Sequence, residues 1–144
     1  MANSDLNLDQ VLQTFIVEAR ELLEDMEGAL LRVADEEDPK ESIAAIFRAA
    51  HTIKGSAGLF GLDAVVTFTH VVESVLDDVR DGTIALDESL IELMLACGDY
   101  IGRMITTVDA REEIADPTAE PEGAALLARL HRHLSAPQAP ATAA

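Results

Sequence analysis

The sequence predicts an all-α protein, a bundle of antiparallel helices, on three observations. Hydrophobic residues make up 49% of the 144 residues, yet aromatic residues are only 3% and tryptophan is absent, so that Ala, Leu, Ile and Val supply most apolar side chains. These residues recur at intervals of three and four, which is the period of an amphipathic helix. The alternating β-branched runs that are typical of strands are missing. A chain of this length is sufficient for one domain with its own core.

The first two helices are predicted on either side of an acidic run. The first extends from about Asn7 to Ala34, with an apolar stripe of Val11, Phe15, Leu22, Met26, Leu30 and Val33. Asp38 is expected to cap the second helix, because Pro39 suits the first helical position. That helix is predicted to end at about Gly61, a C-terminal glycine. Its apolar stripe consists of Ile43, Phe47, Ala50, Ile53, Ala57 and Phe60.

Three more helices follow. The third is predicted from Leu62 to Arg80, and the fourth begins after a cap at Asp87 and ends at about Ala110. The fifth begins at Pro121 and ends at about Leu134. Their inward residues are expected to be Val65, Phe68, Val72, Val75, Leu76, Val79, Leu90, Leu93, Met94, Cys97, Ile101, Met104, Ile105, Leu126, Leu127, Leu130 and Leu134.

Charge and composition exclude several classes of protein. The net charge of −17 argues against nucleic acid and anionic membrane surfaces, both of which require a basic face. The single cysteine cannot form a disulfide within the chain, and no apolar run reaches the roughly 20 residues of a membrane span. Since the N-terminus is also polar, we expect a cytoplasmic protein. Residues 1–134 form the predicted domain, and the Ala/Pro-rich residues 135–144 a disordered linker to a following domain.

The second helix carries a group of residues that suggests a functional site. At about 100° per residue, His51, Lys54, Gly55 and Gly58 fall on one strip beside the apolar stripe. Glycine within a helix costs roughly 1 kcal/mol relative to alanine. Two glycines beside a histidine leave its flank bare, as a docking partner would require. We therefore expect Gly55, Ser56 and Gly58 to form a docking strip for a partner protein.

Glu73 and His70 are predicted to join this strip across a helical hairpin. The turn near Gly61 is so short that the second and third helices must be antiparallel neighbours. Glu73 then lies at the height of His51, and His70 shares its edge of the helix. If Glu73 accepts a hydrogen bond from Nδ1–H of His51, the Nε2 lone pair is left outward as a nucleophile. Lys54 could then neutralise an arriving phosphoryl group.

Simpler interpretations of these residues remain open. His51 could be an ordinary surface histidine, and the glycines could permit close helix packing. A zinc site of His51, His70 and Glu73 is a further alternative, although the nearby ammonium of Lys54 disfavours a cation. No nucleotide-binding loop is visible in the sequence. The histidine is therefore predicted to be a phosphoryl carrier rather than part of an ATP site.

The sequence around the histidine resembles a known family. The segment Ala50–Gly58 is similar to the HxxKGxxxxxG signature of histidine-containing phosphotransfer (Hpt) domains. Phe47–Gly61, followed by Phe68–Glu73 and Leu76–Gly82, resembles the N-terminal phosphotransfer domain of CheA-type chemotaxis histidine kinases. Phe15–Leu23 resembles the first helix of that domain. The likeness covers roughly residues 5 to 134.

The resemblance implies an up-and-down antiparallel bundle with a four-helix core and a fifth C-terminal helix. In the family, the histidine matching His51 is phosphorylated at Nε2 by an ATP-binding kinase domain, in trans within a dimer. It then passes the phosphoryl group to an aspartate of a response regulator receiver domain. The supporting roles carry over to Glu73, which orients Nδ1–H, to Lys54, which meets the phosphate charge, and to His70 as an auxiliary residue.

The resemblance also implies what the domain lacks. ATP and magnesium are expected to come through partner domains, with no cofactor or metal held here, and the isolated domain is expected to be monomeric. Two other functions remain open, a free-standing Hpt relay protein between receiver domains and a non-catalytic helical scaffold. The Ala/Pro-rich tail favours the kinase domain over the relay. The scaffold predicts that His51 takes up no phosphate.

Overall fold

The structure, a computed structural model, describes residues 2–135 and contains only helices and their connections within that range. The predicted linker, apart from its first residue, lies outside the described residues. No helix in the described range is long and apolar enough to cross a membrane. The described residues form five α-helices, α1 (Ala2–Arg32), α2 (Lys40–Leu59), α3 (Asp63–Arg80), α4 (Glu88–Asp109) and α5 (Pro121–Ser135), and a 3₁₀ turn, Val33–Asp35, follows α1.

Four of the helices form a closed bundle. Helix α1 packs against α2 and α4, and α3 packs against both α2 and α4, so that each of the four has two neighbours in the ring. Helix α5 lies outside this ring against α3 and α4. The most extensive packing is between α2 and α3. The predicted fold, a four-helix bundle with an additional C-terminal helix, is confirmed.

The tight connection between α2 and α3 is a Schellman turn. Gly61 has a positive φ of 66°, which glycine adopts without the steric cost that a Cβ would bring. The N–H of Leu62 donates to the carbonyl of Ala57 at 3.0 Å, and that of Gly61 to the carbonyl of Gly58 at 3.2 Å. These two bonds define the motif. Because the turn is fixed in this way, residues of the two helices are paired at defined heights.

The predicted starts of α2 to α5 agree with the structure to within a residue, whereas α1 begins at Ala2 rather than at about Asn7. Helix α4 begins as expected, since Asp87 accepts a hydrogen bond from the N–H of Leu90 at 2.9 Å. Helix α2 begins at Lys40, so Pro39 occupies the cap position rather than the first helical position. Asp38 still contributes, because its carboxylate accepts the N–H of Lys40 at 3.2 Å.

The core contains the predicted apolar stripes of α3 and α4 in full. Cys97 is completely buried among them, as expected of a small apolar side chain, and burial raises the pKa of its thiol to about 12. Helix α5 contributes the buried side chains of Leu126, Leu127 and Leu130, while Leu134 is half-buried.

The stripes of α1 and α2 differ from the prediction. Val11 is 54% exposed, because the buried face of α1 passes through Phe15, Ile16 and Ala19, with Leu12 packed beside it, and Val11 lies to one side of that face. In α2 the buried face is centred on Ile46 and Ile53, with Ala49 and Ala50, so it is rotated from the predicted stripe. Phe47 is consequently at the edge of the core, half-buried on the side that also carries His51.

Candidate functional site

The α2–α3 hairpin brings His51 and Glu73 together. Each lies about ten residues from the Gly61 turn, so the antiparallel register places them at the same height. Oε2 of Glu73 is hydrogen-bonded to Nδ1 of His51, and Nζ of Lys54 donates to Oε1 of the same carboxylate. Both carboxylate oxygens therefore have a partner, and the three side chains form one connected group across the two helices.

Glu73 is ionised within this group although its side chain is only 11% exposed. Burial acts to raise the pKa of Glu73, but the hydrogen bonds from Lys54 and His51, with the positive charge of Lys54, outweigh it. The pKa consequently lies below the usual value of 4.5. An ionised carboxylate can only accept hydrogen bonds, so the proton between the two groups belongs to Nδ1 of His51.

The second nitrogen of the imidazole is left free to react. With Nδ1 protonated, Nε2 keeps its lone pair, and the His51 side chain is 62% exposed. A neutral imidazole with an accessible Nε2 is a nucleophile at neutral pH. The predicted pairing of His51 with Glu73 is thus present, and the reactivity of Nε2 stays a prediction.

Lys54 lies where the sequence placed it but has an additional contact. The sequence predicts that Lys54 meets an incoming phosphoryl group, whereas in the structure its ammonium is bound to Glu73 and its side chain is only 24% exposed. The bond explains how a nearly buried carboxylate is kept ionised, since a buried charge needs a paired partner. Lys54 therefore supports Glu73 directly, one helical turn from His51.

The docking strip is open as predicted. A Cβ built on Gly55 would have no atom within 4 Å, and one on Gly58 would meet only Cγ2 of Val66 at 3.9 Å. Both glycines are exposed, and Ser56 beside them is half-buried. The alternative explanation, that these glycines permit close packing of helices, does not fit such surroundings. They leave the flank of His51 accessible to another protein.

His70 is exposed on α3, but within residues 2–135 its ring has no hydrogen bond to His51, Lys54 or Glu73. His70 thus lies on the predicted face of α3, but it is not part of the hydrogen-bonded group of His51, Lys54 and Glu73. The described residues also contain no group of three His, Cys, Asp or Glu side chains that could hold a metal ion. The zinc alternative therefore has no support in this geometry.

Two residues near His51 were not identified from the sequence. The ring of Phe47 is stacked on the imidazole, with centroids 6.0 Å apart and planes 10° from parallel. The guanidinium carbon of Arg80 lies 3.9 Å from the centroid of Phe47. The spacing of Phe47, one turn before His51, was a usable signal, but its apolar character placed it in the predicted core stripe. For Arg80 the sequence indicates a place at the end of α3 and in the segment Leu76–Gly82, but no contact with the site.

Comparison with known proteins gives one family. The sequence model of the Hpt domain matches residues 10–114. The chemotaxis protein CheA of Salmonella typhimurium is 40% identical over 108 residues, which cover 75% of this chain and 16% of that protein. CheA of Rhizobium meliloti is 36% identical over 96 residues, 67% of this chain and 13% of that protein. The chain thus spans less than a fifth of the length of these relatives.

Solved structures agree with the sequence comparison. The phosphorylated P1 domain of CheA3, in complex with CheY6 from R. sphaeroides, superimposes with a TM-score of 0.75 at 26% identity, covering 87% of this chain and 98% of that one. The histidine phosphotransfer domain of CheA, determined in solution, gives a TM-score of 0.73 at 27% identity over 86% and 91% of the two chains. The chain therefore belongs to the Hpt domain family, and its relatives are phosphotransfer domains of CheA.

Proposed function

We propose that this domain is the phosphocarrier of a chemotaxis-type histidine kinase. His51 accepts a phosphoryl group at Nε2 from the ATP-binding kinase domain and passes it to an aspartate of a response regulator receiver domain. The observation that carries the proposal is the carboxylate of Glu73, which accepts one hydrogen bond from the ammonium of Lys54 and another from Nδ1–H of His51. This arrangement directs the remaining lone pair of the imidazole outward.

In the first transfer, the lone pair of Nε2 forms a bond to the γ-phosphorus of ATP, and the bond from that phosphorus to the bridging oxygen breaks to release ADP. The imidazole gains positive charge as the new bond forms, because Nδ1 keeps its proton. Glu73 stabilises that charge through the same hydrogen bond that selects the tautomer, as a buried carboxylate does behind a catalytic histidine.

In the second transfer, a carboxylate oxygen of the receiver aspartate attacks the same phosphorus. The N–P bond breaks and its electron pair returns to Nε2, which regenerates the neutral imidazole. The leaving group is a neutral imidazole, because the phosphorylated ring carries a positive charge, so the stabilisation of the first step does not prevent the second. Magnesium and ATP are contributed by the partners, and this chain contributes the positioned nitrogen and its charge environment.

The open strip supports two successive partners. A kinase domain, acting in trans within a dimer, and a receiver domain must each bring their own active site to Nε2, and Gly55 and Gly58 leave room for them. A solved relative in its phosphorylated form is in complex with CheY6. The similar proteins are CheA proteins, and this favours a domain of a histidine kinase over a free-standing relay protein.

Phosphate incorporation at His51 tests the proposal. We expect the wild-type domain, incubated with a CheA kinase core and Mg-ATP, to acquire one acid-labile, base-stable phosphate, and the domain alone to acquire none. His51→Gln should abolish labelling without changing the helix content, since the side chain is largely exposed. His131→Gln, which changes another exposed histidine on α5, is the matched control and should label normally. Persistent labelling of His51→Gln would show that a different residue accepts the phosphate.

A further inference from the structure

We propose that Phe47 and Arg80 are positioning residues, which fix the plane of the His51 ring and with it the direction of the Nε2 lone pair. The inference rests on the proposed function, because a fixed lone pair matters only if Nε2 reacts. It assigns a role to the two neighbours of the histidine that the hydrogen-bonded group of Glu73 and Lys54 leaves out.

The hydrogen bond to Glu73 restrains the imidazole at only one point. It selects the tautomer and holds Nδ1 near the carboxylate, but a hydrogen bond tolerates a range of angles, so the ring can still tilt through small changes of χ1 and χ2. The His51 side chain is 62% exposed, so the core does not restrain the rest of the ring. The lone pair of Nε2 lies in the ring plane, so its direction varies with that plane. A second contact, on the face of the ring, is needed to fix it.

Phe47 provides this second contact. It precedes His51 by one helical turn, and its ring lies 10° from parallel to the imidazole with the centroids 6.0 Å apart. This is the offset parallel arrangement that aromatic rings prefer, in the usual range of separations. Phe47 is itself half-buried and packed against the core, so it is less mobile than the histidine. A firm aromatic face therefore lies beside a ring that is otherwise exposed.

Arg80 fixes Phe47 in turn. Its guanidinium carbon lies 3.9 Å from the centroid of the Phe47 ring, within the range of a cation–π contact. Asp77, one turn earlier on α3, accepts a hydrogen bond from Arg80 at 2.7 Å and so orients the guanidinium. Arg80 is in the last turn of α3, further from the Gly61 turn than Phe47, which in turn is further than His51. Phe47 therefore lies between the arginine and the histidine along the bundle.

The arrangement separates two requirements of the reaction. Glu73 determines which nitrogen carries the proton, and the Asp77–Arg80–Phe47 series determines where the free nitrogen points. Reactions between positioned groups depend steeply on orientation, since about 1 Å of misplacement can reduce a rate by about a hundredfold. Loss of the aromatic face should therefore slow the chemical step while leaving docking and the tautomer unchanged.

The test uses the whole chain with a CheA kinase core and Mg-ATP. Phe47→Leu keeps an apolar side chain against the core but removes the flat face, and we expect kcat for phosphoryl acceptance to fall by about tenfold with little change in KM. Phe47→Tyr retains the ring and should restore the wild-type rate. Arg80→Ala changes a surface residue and should give a smaller decrease of two- to fourfold, roughly, in the same parameter. Arg103→Ala removes a comparable arginine, 5.6 Å from the centroid of Tyr100, and should have no effect.

A readout without phosphate separates the inference from the proposed function. In NMR spectra of the unphosphorylated domain, the carbon-bound protons of the His51 ring should be shifted by the ring current of Phe47 and should relax as part of a rigid ring. In Phe47→Leu the shift should disappear and the ring motion increase, while the nitrogen shifts still report a proton on Nδ1. Arg80→Ala should increase the ring motion to a lesser degree.

The outcomes are distinct. Unchanged ring motion in both variants would overturn the positioning role even if the wild-type domain takes phosphate normally. A slower Arg80→Ala reaction with unchanged ring motion would mean that the guanidinium acts through its charge, which also overturns the inference. A wild-type domain that takes no phosphate at His51 would contradict the proposed function, while the NMR comparison would still decide whether the ring is held.

Discussion

Two corners of the bundle are built from the same parts and used in opposite ways. Between α2 and α3, a carboxylate binds the ring of His51, and an arginine lies over an adjacent aromatic ring. Between α4 and α5, Glu120 accepts a hydrogen bond from the hydroxyl of Tyr100 at 2.8 Å, and Arg103 lies over the Tyr100 ring. Each corner joins two helices through a ring and a carboxylate.

The corners differ in which group is buried. Glu73 is nearly buried and His51 largely exposed, whereas Tyr100 is only 6% exposed and Glu120 half-buried. Burial and the bond to Glu120 raise the pKa of Tyr100, so its hydroxyl stays protonated and engaged. Glu120 also accepts the N–H of Gly123 and so caps α5. At the α4–α5 corner the buried ring of Tyr100 and Glu120 form a clamp, a contact that only holds the two helices together. At the α2–α3 corner the ring is exposed over a buried carboxylate, which leaves a ring nitrogen free to react.

The sharpest test of this contrast removes one carboxylate charge at each corner. Glu73→Gln should lower the rate of phosphoryl acceptance by about a hundredfold, because the amide neither stabilises the charged ring nor selects the Nδ1–H tautomer as strongly. Nitrogen NMR of the His51 ring should show a population shift towards a free Nδ1. Radiolabelled transfer from a kinase core measures the rate.

Glu120→Gln is the matched control. It should destabilise the packing of α5 slightly and leave phosphoryl acceptance unchanged, since Glu120 contacts Tyr100 and the start of α5 rather than α2. Equal rates in wild type and Glu73→Gln would mean that Glu73, like Glu120, serves only to join helices.

A methyl group at Gly123 should disrupt the clamp. A Cβ there would overlap the hydroxyl oxygen of Tyr100 and would lie 2.7 Å from the carbonyl oxygen of Pro117. Because the backbone of Pro117 cannot move aside cheaply, we expect Gly123→Ala to lower the free energy of unfolding by roughly 1–3 kcal/mol. Gly55→Ala, where the added methyl meets nothing within 4 Å, should instead raise it by up to about 1 kcal/mol. Urea titrations of both variants would measure the difference, and equal shifts would contradict the assigned environments.

Gly58→Arg tests the outer face of the active corner. Arginine favours the helix more than glycine does, and a Cβ at this position meets Val66 only at an ordinary distance of 3.9 Å. The melting temperature should therefore be equal or higher, while phosphoryl exchange with kinase core and receiver slows by about tenfold because the side chain stands in their approach. A clearly lower melting temperature would mean that Gly58 serves internal packing. A normal rate would place docking elsewhere.

The smallest effect concerns acid stability. The pKa of Glu73 is lower in the folded protein than its ordinary value of 4.5, so its stabilising contribution is present above about pH 4.5 and is lost as the pH falls through the folded value. Wild type should therefore lose stability more steeply than Glu73→Gln below that pH. Thermal melts of both proteins from pH 6 to pH 3 would show the two curves converging. Parallel curves would indicate that the carboxylate is not held by Lys54 and His51 in solution.

The sequence predicted what depends on local pattern. The helices, the Gly61 turn and the pairing of His51 with Glu73 follow from periodicity and from counting residues outward from a tight turn. The exposure of Val11 could not be predicted in the same way, because the face of α1 that the bundle covers passes through Phe15 and Ile16 and leaves Val11 to one side. A pattern indicates which face of a helix is apolar, but only the fold determines whether another helix covers it.

The contacts missed at both corners are long-range pairings of side chains. The bond between Lys54 and Glu73 and the position of Arg80 over Phe47 depend on rotamers and on the rotation of α3 against α2. The cap at Glu120 was missed because the helix start was assigned from Pro121 alone, and the hydroxyl of Tyr100 that completes it comes from α4. Spacing along the chain places residues at a height but does not select their partners.

The buried thiol of Cys97 can report transient opening of the domain's core. With a pKa of about 12, on the order of one thiol in ten thousand is ionised at pH 8, and reagents such as iodoacetamide require the thiolate. Opening of the core returns the pKa to about 8.5 and exposes the sulfur, so alkylation proceeds through the open state. The chain has a single cysteine. Its alkylation rate therefore measures the opening equilibrium around α4 in every variant, without an added label.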